Sequence, residues 1–202
     1  MTASFWIIIF AVLIYGGVHS WLASLGIKEV LQRLFGKAAE RGYRLLYNLI
    51  AIVTLLPVLV LPVALVDESL YHISLPWMGL SVAGQIVAVL VLLAGVIQTG
   101  PLTFLGLCQL VGCEGETPPR LVVTGLYRWA RHPLYSAGLV FIWLMPVMTW
   151  NLLALNLGIT AYILVGAMFE ERKLVAEFGQ VYQEYRQRTP MLVPGLRFRA
   201  GK

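Results

Sequence analysis

Charge is what this 202-residue chain has least of: 12% of its residues are Asp, Glu, Lys or Arg, against 59% hydrophobic. A soluble domain keeps its apolar share near half and its charged share near a quarter, so an ordinary soluble fold is excluded first. Chemistry-bearing motifs are the second shortage. No CxxC, HExxH, Walker or GxGxxG pattern occurs, which leaves metal centres and soluble nucleotide folds without a carrier. The chain has two cysteines, Cys108 and Cys113. They fall in a stretch assigned below to the cytoplasmic side, where a structural disulfide is disfavoured, and they read as free thiols used for packing. The first apolar run lacks the basic start and small-residue cleavage site of a secretory signal, so it reads as a span that stays.

What is there is length of apolar chain. A span needs about 20 helical residues to cross about 30 Å of hydrocarbon. Phe5 to Leu25 qualifies, then a second run from about Tyr43 to Val66, carrying Pro57 and Pro62, and a third from Gly79 to Ile97. Leu134 to Met148 and Leu152 to Phe169 read as a shorter helical hairpin, joined by Thr149-Trp150-Asn151 with Asn151 as the cap of the second helix. Gly79, Ala83 and Gly84 offer a face that lets another helix approach closely. After Glu170-Glu171-Arg172-Lys173, the residues Leu174, Phe178, Val181 and Tyr185 recur at helical spacing and predict an interfacial amphipathic helix, which Pro190 and Pro194 end. The fold class is therefore an all-α integral membrane protein with about five transmembrane helices plus a C-terminal amphipathic cytoplasmic helix. Residues 1–97 form a three-helix membrane region. Residues 98–202 hold a long Gly- and Pro-rich connection, the hairpin and the tail helix.

The net charge of +5 would suit nucleic acid, but its distribution explains it better. All 15 Lys and Arg fall on one side of this topology, and the loop holding Asp67, Glu68 and His72 has none. The positive-inside rule then places the N-terminus outside and the C-terminus in the cytoplasm, as expected at a bacterial inner membrane, with anionic lipid as the partner of the basic charge. His19 and Ser20 lie near the end of the first span. An intramembrane histidine is a functional candidate, although a packed, hydrogen-bonded role fits it better.

The chain is organised around Leu121 to Tyr135. Pro133 suits the first position of a helix, so His132 sits at its mouth beside Arg128 and Arg131, an anion-binding corner. The hairpin brings that corner to face Glu170 and Glu171. Two readings of the charges stand: a zwitterion held between cationic and anionic halves, or a salt bridge that ties the hairpin shut.

The run Gly125-Leu126-Tyr127, then Arg131-His132-Pro133-Leu134-Tyr135, Glu170-Glu171-Arg172-Lys173-Leu174, Phe178-Gly179, Tyr182-Gln183-Glu184-Tyr185, Pro190 and Pro194 resembles the membrane-bound methyltransferases. That family includes isoprenylcysteine carboxyl methyltransferases and phospholipid N-methyltransferases. Phe104 to Gln109, Trp143 to Thr149 and His19-Ser20-Trp21-Leu22-Ala23-Ser24 are similar to its bacterial branch of thiol S-methyltransferases and NnrU-like proteins. The resemblance implies S-adenosylmethionine at the cytoplasmic face. It implies that Leu121, Val122, Tyr127, His132, Pro133, Leu134 and Tyr135 line its pocket and that Glu170 meets its amino group. Tyr182 and Tyr185 would close over it. The acceptor would be a lipophilic group or a small thiol, and its proton would go to Glu171 or His19 or be loosened by the charge of Arg131. The family's substrate-carboxylate arginine, one turn before the glutamate pair, is Gly166 here, which argues against a prenylcysteine carboxylate. Two alternatives stand beside it. A steroid-reductase-type NADPH enzyme has an Asn before the tyrosine where this chain has Leu134. A membrane accessory protein has no need of Arg131, His132, Tyr135 and Glu170 together.

Overall fold

The computed structural model describes residues 2–105, 107–108 and 121–195. Cys113, Gln109, Arg120 and the Arg197–Lys202 tail lie outside the described residues. In chain order the elements are α1 (Ala3–Leu22), α2 (Leu25–Phe35), α3 (Lys37–Ala64), β1 (Ser69–His72), α4 (Trp77–Thr99), α5 (Pro101–Leu105), a 3-10 turn (Gly125–Arg128), α6 (Pro133–Trp143), β2 (Val147–Thr149) and α7 (Trp150–Arg188). The chain is an all-α integral membrane protein. Among the described residues, four stretches are long and apolar enough to cross a membrane: α1, residues Gly42–Ala64 of α3, α4, and α7. Their outer faces carry residues such as Phe10, Leu13 and Val63 that only lipid would cover.

Two expectations shift in detail. The fourth apolar run ends at Trp143 after 11 residues, about 16 Å of helix, because Pro146 cannot continue a helix and Val147–Thr149 goes into a strand. The polar connection after α1 is itself a helix, α2. A third expectation fails: Cys108 is disulfide-bonded. The free-thiol reading rested on compartment alone, whereas pairing depends on local chain geometry.

Contacts divide the chain into two units, each drawing on segments from both halves of the sequence. The first comprises residues 1–72, 96–117 and 147–162. Its core is Phe5, Ile8, Val12, Val58, Ala154 and Leu155, and Gly158 lets α7 lie so close to α1 that a Cβ there would meet Val12 at 3.0 Å. β1 pairs antiparallel with β2, Ser69 opposite Thr149 and His72 opposite Val147. This pairing places the start of α7 beside the loop that follows α3. Asn151 is not the cap of α7. Thr149 is: its hydroxyl accepts from Leu152 N–H at 3.1 Å, whereas the Asn151 amide is buried and reaches the Pro62, Leu65 and Val66 carbonyls at 3.3–3.4 Å. The cap position had two candidates two residues apart, and the carbonyls left over at the end of α3 claimed the asparagine.

The second unit comprises residues 73–95, 118–146 and 163–202. Here α6 lies along α4 because two glycines leave room for leucines: a Cβ on Gly84 would fall 2.4 Å from Leu144, and one on Gly95 would fall 2.5 Å from Leu134. Gly84 therefore serves the close approach expected of it. Gly79 has nothing within 4 Å. The 39 residues of α7 measure about 58 Å, roughly twice the hydrocarbon thickness, so its apolar part, residues 152–169, is the span, and the charged remainder projects beyond it. Gly179 interrupts that remainder with φ +54° and ψ −128°, a conformation that side chains disfavour, and re-aims the last two turns.

Candidate functional site

The site grows from two short pieces of the second unit: the entry to α6 and the part of α7 beyond the apolar span. Pro133 is the first residue of α6 and His132 its cap, as the sequence predicts. The backbone N–H groups of Arg131 and His132 do not open toward a ligand. They donate to the Pro190 and Met191 carbonyls at 2.9 and 3.0 Å. Ser136 reinforces the same strap by donating to the Leu192 carbonyl at 2.6 Å.

At the centre is Glu171, 5% exposed. Arg131 grips it in a two-pronged pair, Nε to Oε1 at 2.7 Å and the terminal nitrogen to Oε2 at 2.9 Å. His132 Nε2 lies 3.0 Å from Oε1, the Tyr182 hydroxyl donates to Oε1 at 2.7 Å, and Arg186 Nε sits 3.0 Å from Oε2. The other terminal nitrogen of Arg131 donates to the Arg186 and Thr189 carbonyls. Burial alone would raise the Glu171 carboxyl, but the hydrogen bonds from His132, Arg131 and Tyr182 and the Arg131 charge outweigh it and hold it down at about 2. Of the two charge readings, the salt bridge is therefore realised between Arg131 and Glu171.

Glu170 is different. Its side chain is 46% exposed, and one of its oxygens accepts from the Tyr135 hydroxyl at 2.8 Å while His132 Nδ1 stands 3.6 Å away. The His132 and Tyr135 rings stack, 5.3 Å between centroids and 12° from parallel. Tyr127 is half-buried and gives its carbonyl to the Tyr185 hydroxyl; burial, and secondarily the Glu170 charge, raises the Tyr127 phenol. Leu121 is half-buried and Val122 exposed, on the extended chain that leads into the 3-10 turn. Pro133 is buried and Leu134 fills the space opposite Gly95.

Arg186 was missed by sequence reasoning, although it stands one helical turn after Tyr182 on the same face, which is the signal that would have found it. Of the predicted apolar stripe, Tyr185 is buried and Leu174 and Phe178 are half-buried, but Val181 is 63% exposed and its neighbour Tyr182, 1% exposed, turns inward instead. Hydropathy ranks valine above tyrosine, but the inward position needs a hydroxyl for Glu171.

His19 belongs to the first unit, in a cage of tyrosines. Its Nε2 hydrogen-bonds the Tyr47 hydroxyl, its ring stacks on Tyr15 with 5.5 Å between centroids, and Tyr162 meets it edge-on at 5.9 Å. Gly16 admits the Tyr162 ring; a Cβ there would lie 2.8 Å from it. Tyr43 donates to the Leu22 carbonyl and lies under the Lys28 ammonium at 5.8 Å.

Fold and site together define an integral membrane protein with a buried ionic centre just beyond the end of its last span. The chain belongs to the family described as NnrU protein, whose profile matches residues 7–196. It is 55% identical over 71 residues to methanethiol S-methyltransferase 2 of Bradyrhizobium diazoefficiens, a match covering 35% of this chain and 27% of that protein. A longer match, 30% identical over 187 residues, links it to the methanethiol S-methyltransferase of Crocosphaera subtropica and covers 87% of this chain and 69% of that one. It is also 37% identical over 93 residues to the protein-S-isoprenylcysteine O-methyltransferase of Tribolium castaneum, covering 43% and 32%. The chain thus spans between about a quarter and about two thirds of the length of these relatives. No solved structure matches it significantly.

Proposed function

We propose that the chain is a membrane-bound methyltransferase that uses S-adenosylmethionine and methylates a small thiol. The observation that carries this reading is the division of labour between adjacent carboxylates. Glu171 is consumed by Arg131, Arg186, His132 and Tyr182, whereas Glu170 beside it stays half-exposed with Tyr135 on one oxygen. A carboxylate presented in this way fits the ammonium of an amino acid. Glu170 would hold that ammonium, Tyr135 would orient Glu170, and the stacked His132 and Tyr135 rings, with Leu121, Val122, Tyr127, Pro133 and Leu134, would form the walls. S-adenosylmethionine supplies a methyl group on a sulfonium, and passing it to a thiolate cancels two opposite charges, which a water-poor site favours.

Glu171 is too strongly stabilised as an anion to be a good proton acceptor. Its role, like that of Arg131, is to position the entry of α6 against the tail of α7. The names of the relatives favour a small thiol over a prenylcysteine: alignment to a methanethiol enzyme runs over 87% of the chain, alignment to the isoprenylcysteine enzyme over 43%, and Gly166 supplies no carboxylate-binding arginine.

The orientation proposed is N-terminus outside and C-terminus in the cytoplasm of a bacterial inner membrane. The pairing of β1 with β2 supports it. Residues 147–149 lie beside the loop that follows α3, so the chain crosses once more between the end of α4 and β2. An odd number of crossings puts the termini on opposite sides, and the positive-inside rule chooses which.

Calorimetry on detergent-purified protein tests the reading. Saturable binding of S-adenosylmethionine and none of NADPH is expected, with Glu170→Ala lowering that affinity at least 100-fold while the melting temperature holds. Vesicles given methanethiol and S-adenosylmethionine should then form dimethyl sulfide. Binding of NADPH instead would return the chain to the reductase class.

A further inference from the structure

The last turns of α7 have two working faces. Tyr182 and Arg186 turn to Glu171, while Val181, Glu184 and Arg188, at i, i+3 and i+7, line a separate cavity of about 420 Å³ in the same unit. Val123 and Arg128 form its other wall. Its chemistry is amphiphilic: two guanidinium groups against a single carboxylate, over valines and the ring of Tyr185. The surrounding surface is of the same kind. Trp129 is 60% exposed with the Arg128 guanidinium 5.4 Å from its ring, and Val193 is exposed. Exposed tryptophan beside arginine and apolar side chains is the composition of a membrane interface.

We propose that this cavity binds the headgroup of an anionic glycerophospholipid, with its phosphate on Arg128 and Arg188. A guanidinium fork matches the geometry of a phosphate, and two of them outweigh Glu184 by one positive charge. A volume of about 420 Å³ suits a glycerophosphate headgroup and the first carbons of its chains, but not two acyl tails. Glu184 disfavours headgroups of higher negative charge. Thr189 lines the cavity and its carbonyl accepts from the Arg131 guanidinium, and the Tyr185 ring meets that of Tyr182 edge-on with 5.8 Å between centroids, so the bound headgroup abuts groups that hold the Glu171 centre. This proposal rests on the membrane placement of the chain and is independent of the methyl-transfer reading.

Native mass spectrometry of the detergent-purified protein, titrated with short-chain phosphatidylglycerol, phosphatidylcholine or inorganic phosphate, tests it. At about 1 kcal/mol per basic residue, phosphatidylglycerol should bind about fivefold more tightly than phosphatidylcholine. Arg128→Gln and Arg188→Gln should each weaken phosphatidylglycerol about fivefold, and the double variant about 25-fold. Val181→Asp, which places a carboxylate on the exposed wall, should weaken it comparably without altering the melting temperature. An unchanged affinity in the double variant overturns the proposal. So does inorganic phosphate that displaces the lipid at equal concentration, since the site would then read a free anion.

Discussion

In the second unit the polar centre is ionic. One carboxylate is held by two guanidinium groups, an imidazole and a phenol, and Glu171 has almost no exposure left. In the first unit it is an imidazole among phenols, with His19 surrounded by Tyr15, Tyr47 and Tyr162. The ionic cluster lies past residue 169, where the apolar run of α7 has ended; the tyrosine cluster sits on α1, α3 and the apolar part of α7. Inside hydrocarbon a full charge is costly even when paired, and neutral hydrogen bonds between aromatic groups tie helices together at lower cost. Beyond the span, charges can be assembled from loops and helix ends, provided each finds a partner before it is buried.

The contrast can be broken by mutation. Arg131→Ala should have the largest effect, about 3–5 kcal/mol lost from unfolding stability in a detergent melt, because it removes both prongs of the two-pronged pair and leaves the buried Glu171 anion to Arg186, His132 and Tyr182 beside an emptied space. A loss below about 1 kcal/mol would mean that the cluster behaves as a surface salt bridge.

Acid should sharpen it. The Glu171 carboxyl is depressed in the folded state from about 4.5 to about 2. Its contribution is therefore fully present above pH 5 and is lost as the pH falls toward 2, about 3 kcal/mol in all. Melts of Glu171→Gln should lack that acid limb and start from lower stability at neutral pH. A limb that survives the substitution would assign it to other carboxylates.

The smallest effect is expected in the first unit. His19→Ala removes one neutral hydrogen bond and three ring contacts, so a cost of about 1–2 kcal/mol is expected from the same melts. If His19→Ala proved as costly as Arg131→Ala, the distinction between a neutral intramembrane tie and an ionic centre would fail.

Much of this was legible in the chain itself. The membrane class follows from apolar runs long enough to span, and the facing of Arg131 and His132 against Glu170 and Glu171 follows from a hairpin flanked by opposite charges. Pro133 marked the start of α6 because a missing N–H is harmless there. Those features are local: each depends on a run, a period or a residue that suits one backbone position. Non-local competition was illegible. Whether Asn151 or Thr149 caps α7 depended on unpaired carbonyls at the end of α3, nearly 90 residues earlier in the chain. Which of two neighbouring glutamates is buried, which of Val181 and Tyr182 turns inward, and that Arg186 joins the centre depended on which donors the fold brings to Glu171. A sequence determines which groups must be kept from water or charge. Only the tertiary structure decides which partner each receives, because burial makes every polar atom compete for the nearest complement, whatever its distance along the chain.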